Sequence, residues 1–289
     1  MEMRASIGCV CGAIFATSPA LAVDLYAARV KFDVAKAALD EASWKGVKEA
    51  IVPLMGQPIA LPRPKVTHTT SLKVQVIHDG AWMAFRLRWR SEKPAFAGKL
   101  GEFSDAVALE FPVKDGPPPP VFMGVKDNPV HIFHWRAQYQ RDQERGKPEM
   151  RELYPNMNPD MYPMEFSDPV ASAGLTDANR EQYSPGKAAG NPQSYEKPSA
   201  VDEIVAEGYG SSSVIEDRNS TGRGTWAKGE WLVTVVRPLL RDGGSTLALG
   251  KPAFVGFAVW QGAKQEVGSR KSVTMAWVPL EVSPGSVSR

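Results

Sequence analysis

Apolar side chains recur at every second position in several short runs of this chain, the period of strands that bury one face. The run "SLKVQVIHDGAWMAFRLRW" (71–89) puts Met83, Phe85, Leu87 and Trp89 on one face, with Arg86, Arg88 and the following Arg90 on the other. Asp79-Gly80 divides it into two arms, and such a pair between alternating segments predicts a hairpin. "DAVALEFPV" (105–113) alternates through Val107, Leu109, Phe111 and Val113. Three more strands are predicted in "EWLVTVVRPL" (230–239), "AFVGFAVWQG" (253–262) and "KSVTMAWVPLEV" (271–282). A short helix is expected around Val34 to Ala42, then a proline-punctuated extended lead-in at "PLMGQPIALPRPKV" (53–66). Short alternating strands broken by turns, with little helix, predict a mainly β fold: an antiparallel β-sandwich.

The periodicity fails over residues 138–200, which hold eight prolines and four glycines. A patternless stretch of that length is unusual inside a compact domain. The Tyr, Met and Phe content of pieces such as "YPNMNPDMYPMEF" suits a segment laid over a partner's surface, so an irregular subunit-contact insertion is predicted here. At the other end, Arg4 precedes a short apolar stretch, Ala5 to Phe15, and the small-residue pattern Ala20-Leu21-Ala22 follows. That is the layout of a signal peptide, with cleavage expected after Ala22 and residues 23–289 forming one exported, periplasmic domain. The stretch is far shorter than the ~20 apolar residues of a transmembrane helix, and no later segment comes closer.

Composition narrows the chemistry. With 43% hydrophobic and 23% charged residues the chain is ordinary for a globular protein, and a net charge of +2 gives no footprint for nucleic acid. Cys9 and Cys11 are the only cysteines, and both fall in the leader. The mature domain therefore has no disulfide, cysteine–metal site, iron–sulfur cluster or C-x-x-C-H haem attachment, and any cofactor is held without covalent sulfur chemistry. His131 and His134 in "PVHIFHW" stand three apart on a predicted strand, which sends them to opposite faces and argues against a shared zinc ion. No nucleophile elbow, phosphate loop or H-E-x-x-H motif occurs, so no hydrolase or transferase chemistry is indicated. Seven tryptophans (Trp82, Trp89, Trp135, Trp226, Trp231, Trp260 and Trp277) lie on or beside strands and read first as core. Exposed on a sandwich they would instead suit a carbohydrate- or ligand-binding module. Two residues stand out from their surroundings: Met123, in a loop behind four prolines ("PPPPVFMG"), and Lys271, in "GSRKSVTMAW".

Six stretches, in order, resemble one family: the haem b (gamma) subunits of the type II DMSO reductase-like molybdoenzymes, such as ethylbenzene dehydrogenase, dimethylsulfide dehydrogenase, selenate reductase and chlorate reductase. They are "VIHDGAWMAFRLRW", "DAVALEFPV", "PVFMG" with "PVHIFHWRA", "VDEIVAEGYGSSS", "GRGTWAKGEWLVTVVRPL" and "FAVWQGAKQEVGSRKSVTMAW". The resemblance implies a β-sandwich holding one non-covalent haem b whose iron takes a methionine and a lysine. The methionine carries over to Met123 and the lysine to Lys271, with Lys228 in "TWAKGEW" as the rival. Arg270, Arg136 or Lys126 could meet the propionates. Two axial ligands leave no open position, so the family implies a non-catalytic electron-transfer subunit. Its implied partners are an iron–sulfur beta subunit, a molybdenum-containing alpha subunit and a soluble periplasmic redox carrier.

Overall fold

The computed structural model of the chain describes residues 23–148, 150–156, 189, 197–217 and 219–286. The expected leader lies outside them, and so does most of the expected insertion.

The alternating runs form strands, and the buried half of each alternation forms a common core. β1 (Leu25–Arg29), β2 (Ala50–Pro53), β3 (Met55–Gly56), β4 (Ser71–His78), β5 (Trp82–Arg90), β6 (Ala106–Pro112) and β7 (Val130–Arg136) come first. β8 (Val201–Ala206), β9 (Ser213–Val214), β10 (Thr221–Ala227), β11 (Glu230–Pro238), β12 (Pro252–Trp260), β13 (Ser272–Val273) and β14 (Val278–Ser286) follow. Hydrogen-bonded neighbours run β10-β11-β5-β4-β1-β14-β12-β6-β7-β8-β9. The path folds back on itself at β12, whose first half pairs with β14 (Val255 opposite Val278) and whose second half pairs with β6 (Gly256 opposite Glu110). A strand that changes partner midway is how two sheets of a sandwich share a corner.

Inside the sandwich, Met83, Phe85, Leu87 and Trp89 from one sheet meet Val107, Leu109, Phe111, Phe133 and Trp135 from the other. Phe85 and Phe111 pack edge to face with centroids 5.7 Å apart, and Trp135 meets Trp231 at 5.2 Å. Such pairs add about 0.5–1.5 kcal/mol each beyond the area they bury. Gly222 and Gly224 on β10 leave room for this cluster, since a Cβ on Gly224 would stand 2.4 Å from the Trp135 ring.

Three expectations are corrected. The sheet is mixed rather than purely antiparallel, because β1 runs parallel to both β14 and β4. The predicted helix is one turn, α1 (Val34–Ala37), followed by a 3-10 turn, Glu41–Trp44. Asp33 caps α1, and the Val34 N–H donates to Asp79 of the β4–β5 turn, so contact with the hairpin holds this short segment rather than its own length. The predicted strand 271–282 is two strands. Thr274 locks onto Phe257 through its backbone N–H and its hydroxyl, and the chain then turns before β14 begins.

One buried polar network ties the sheets together at the β8 end. Glu203 is fully buried, and it accepts from the Asn219 and Ser220 N–H groups at 2.9 and 2.7 Å and from Arg241 Nε at 3.0 Å. Burial pushes its carboxyl up, but His131 and the Ser220 and Asn219 donors outweigh that and hold it at about 2. A carboxylate whose pKa is depressed on folding stabilises the protein above its unfolded value, and loses that contribution as pH falls towards the folded value. Thermal melts of the wild type should therefore lose stability between about pH 4.5 and 2. Glu203→Gln should be less stable at neutral pH by on the order of 2–3 kcal/mol and should lack this part of the acid dependence.

Candidate functional site

The core takes every second residue of β6, β7 and β12, and the remaining ones face outward. On that face Gly256, Ala258 and Trp260 stand beside Glu110, Ala108 and Ala106, which in turn stand beside Ile132, His134 and Arg136. Four of these nine positions are glycine or alanine, so the middle of the face is a trough with little side-chain bulk. Two loops close over it.

The first loop follows β6. Its ends meet where the Val113 N–H donates to the Pro129 carbonyl, and Val125 bridges Asn128. Met123 (φ 66°) and Gly124 (φ 69°) both take left-handed conformations. For methionine this costs on the order of 1 kcal/mol or more, so its surroundings must hold it. They do so at both ends of the residue. The Met123 N–H donates to Glu110 Oε1 at 3.0 Å, and its carbonyl accepts from the Gly208 N–H at 2.7 Å. Gly124 is required for space as well as conformation, since a Cβ there would meet the Asn128 and Ala206 carbonyls at 2.9 and 3.0 Å.

The second loop joins β12 to β13. Glu266 accepts from the Gln261 N–H and faces His68 Nδ1 at 3.0 Å, while Trp260 Nε1 donates to the Gly268 carbonyl. Ser269 donates to Pro62, and the Gln57 N–H donates to the Lys271 carbonyl. Lys271 is thereby set at the entrance to β13, with Nζ 4.9 Å from the centre of the Trp260 ring.

Met123 and Lys271, far apart in sequence, line one cavity of about 220 Å³ together with Glu110, Phe122, Tyr209 and Ala258. A second cavity of about 260 Å³ shares Gly268 with the first and is lined by His134, Arg136, Trp260, Phe103 and Ala106. Two larger cavities, about 780 and 700 Å³, lie along residues Tyr26–Asp33 on the other sheet and contain neither Met123 nor Lys271.

Charge inside the site is unusual. Burial drives the Lys271 amine below its ordinary value, although Glu110 pulls the other way. Glu110 is raised to about 7 by burial, moderated by Lys271 and the Met123 N–H. His134 is held well below its usual value by burial, with the cationic Arg136 and Lys271 adding to the effect. Its ring stacks on Trp260 at 4.7 Å, and its Nε2 is buried without a hydrogen-bond partner. Arg136 Nε and Arg270 Nε are buried and unpartnered too. Unpaired buried donors are rare and each costs on the order of 1–3 kcal/mol, so the two that line the second cavity, His134 and Arg136, ask for an acceptor, while Arg270 lies over the Phe103 ring at 5.8 Å.

The other candidates fall elsewhere. Lys228 (φ 52°) is exposed in the turn between β10 and β11 on the opposite sheet, and Lys126 is exposed in the Met123 loop without lining either cavity. His131 faces the core beside Phe133, on the opposite side of β7 from His134. Ser245, His131 and Glu203 come together like a hydrolytic triad, with Ser245 Oγ 3.2 Å from Nδ1 and Nε2 3.5 Å from Glu203. Ser245 is completely buried and its hydroxyl accepts from Arg237, so this constellation is structural. All eight tryptophans are buried or half-buried, and none offers an open platform for a sugar ring. Glu110 was not singled out in the sequence. Its signal was there, as the one charge at an outward position in "DAVALEF", following the outward alanines 106 and 108. Among the described residues no cluster of His, Cys, Asp and Glu could hold a bare metal ion, and no helix is long and apolar enough to cross a membrane.

The chain is similar to two proteins whose names place them in reductases. A "heme subunit" of respiratory nitrate reductase, ORF7 of Haloferax mediterranei, is 23% identical over 84% of this chain and 67% of its own. The chlorate reductase subunit gamma of Ideonella dechloratans is 22% identical over 73% of this chain and 65% of its own. The chain thus spans about two thirds of the length of these relatives. Among solved structures, a family 9 carbohydrate-binding module from Caldicellulosiruptor kristjanssonii, in complex with glucose, aligns over 92% of this chain and 98% of its own. At a TM-score of 0.43 and 7% identity, that likeness is too distant to bear on function. The family described as Ethylbenzene dehydrogenase matches residues 41–272, a span that takes in both loops, both cavities and most of the sandwich, and the chain belongs to that family.

Proposed function

We propose that this chain is a haem-carrying electron-transfer subunit of a multi-subunit oxidoreductase, with the haem seated on the outward face of β6, β7 and β12 and its iron held by Met123 and Lys271. The observation that carries the reading is the meeting of a thioether and a buried amine in one cavity. The names of two relatives, a nitrate reductase heme subunit and a chlorate reductase gamma subunit, support it.

The residues present fit a haem in four ways. The trough of Gly256, Ala258, Ala106 and Ala108 offers a flat group an apolar floor. Met123 supplies a soft, neutral ligand, and thioether ligation in cytochromes raises the reduction potential. Lys271 ligates only as the free amine, and burial already moves it in that direction. The unpartnered nitrogens of Arg136 and His134, which line the second cavity, are suited to propionates, and that of Arg270, over the Phe103 ring, supports the same role. Each cavity alone is below the ~300 Å³ at which small-molecule sites begin, so the wall at Gly268 and Trp260 must yield on loading.

When bound, haem would supply one-electron transfer. Met123 and Lys271 would hold its iron and leave no place for substrate, with Phe122 and Trp260 shielding it from water and Tyr209 at the cavity rim. Within the proposal the haem is of b type, held without a covalent link. The chain passes electrons between an iron–sulfur subunit, which serves a molybdenum-containing catalytic subunit, and a soluble carrier outside the cytoplasm. The leader-like residues 1–22 support export, and the aromatic-rich stretch within 138–200 supports contact with the iron–sulfur subunit.

Haem-reconstituted wild type should give a low-spin spectrum with a sharp reduced α-band. Met123→Ala and Lys271→Ala should each turn it high-spin, whereas Lys228→Ala should leave it unchanged; absorption spectra of the four proteins check this. Arg136→Ala and Arg270→Ala should each weaken haem retention about tenfold or more, since one hydrogen bond to a charged group contributes roughly 1.5–3 kcal/mol. Transfer of haem to apomyoglobin measures that loss.

A further inference from the structure

Glu110 lies where nothing in its strand's packing calls for a charge. It occupies the outward face of β6 between Gly256 on one neighbouring strand and Ile132 on the other. The glycine matters, because a Cβ at 256 would press on the Val121 side chain at 3.0 Å. That opening lets the loop bearing Val121, Phe122 and Met123 settle onto β6, with the carboxylate beneath it. Glu110 Oε1 then accepts from the Met123 N–H at 3.0 Å.

We propose that Glu110 is a positioning residue for the iron ligand: its carboxylate, anchored on a central strand, holds the Met123 backbone in its left-handed conformation and so fixes where the thioether points. The inference rests on the reading of Met123 as an axial ligand. Two features make the hydrogen bond decisive rather than incidental. Met123 and Gly124 are consecutive residues at positive φ, so the peptide between them is held against the preference of an L side chain. On the far side the Gly208 N–H, itself in a loop, grips the Met123 carbonyl, whereas Glu110 ties the residue to the sheet. A ligand placed by a strand is held more firmly than one placed by a loop alone. The Met123 N–H belongs to the Phe122–Met123 peptide, so the Glu110 carboxylate fixes the peptide on one side of the left-handed φ while the Gly208 N–H holds the peptide on the other.

The test uses the full chain, with and without haem, as wild type, Glu110→Ala, Glu110→Gln and Met123→Ala. In the haem-free proteins, nuclear magnetic resonance reads hydrogen exchange at the Met123 amide. Protection should fall at least tenfold in Glu110→Ala and be retained in Glu110→Gln, whose amide oxygen can accept the same bond. In the haem-loaded proteins, the sulfur-to-iron charge-transfer band should be present in wild type and Glu110→Gln and lost or heterogeneous in Glu110→Ala. Glu110→Leu, which fills the space without an acceptor, takes the place of the alanine variant if that one does not fold. A full band and a protected amide in Glu110→Ala or Glu110→Leu would overturn the positioning role, and so would loss of both in a folded Glu110→Gln. A wild type whose spectrum is unchanged by Met123→Ala would instead remove the ligand assignment itself, while the exchange result would still report on the hydrogen bond.

Discussion

A strip of missing side-chain volume is the constraint on which the rest depends. Where β6 and β12 run side by side, Gly256, Ala258, Ala106 and Ala108 leave the outward face almost bare. Because that floor is low, the proline-led loop from one side and the loop after β12 from the other reach the same space. Larger residues there would hold the loops apart, and Met123 and Lys271 would each face solvent. The inner face of the same strands is filled with Val107, Leu109, Phe111, Phe257 and Val259. One pair of strands thus serves as a dense wall on one side and a shallow seat on the other.

A seat of this kind brings polar groups out of water, and the balance differs at its two ends. Near the β12–β13 loop, Lys271 and Glu110 are buried close enough to influence each other, and burial pushes both towards their neutral forms. A buried pair of this sort contributes little net stability, because desolvation offsets most of the attraction. Its persistence is better explained by what a neutral amine can do than by what an ion pair holds together. At the other end His134, Arg136 and Arg270 keep nitrogens buried without acceptors. In the Glu203 network the carboxylate itself is well supplied, by the Asn219 and Ser220 N–H groups and Arg241, and its pKa is depressed in consequence.

Most of the fold was legible because alternation reports burial directly. Met83, Phe85, Leu87 and Trp89 face the core as their spacing implies, and the Asp79-Gly80 hairpin forms. What pattern could not supply was pairing between distant segments. Nothing local marks β1 as parallel to β14, nor Gly256 as the corner where β12 changes sheets. The split of 271–282 escaped for the same reason, since Thr274 turns on a bond to Phe257 that alternation does not show. At the site, Met123 and Lys271 were readable only through resemblance, and their shared cavity is a property of the tertiary fold. Glu110 was missed, and His134 was weighed only as a zinc ligand, because each is an ordinary residue on an ordinary strand until the loops close over it.

The central claim is that one methionine sulfur and one lysine nitrogen of this chain hold a haem iron. Iron K-edge X-ray absorption of the haem-loaded wild-type chain tests it most directly. The account predicts a first shell of one sulfur and five nitrogen neighbours around low-spin iron, the fifth nitrogen being the Lys271 amine beyond the four of the porphyrin. A shell of nitrogen and oxygen alone, with no sulfur scatterer, would contradict it.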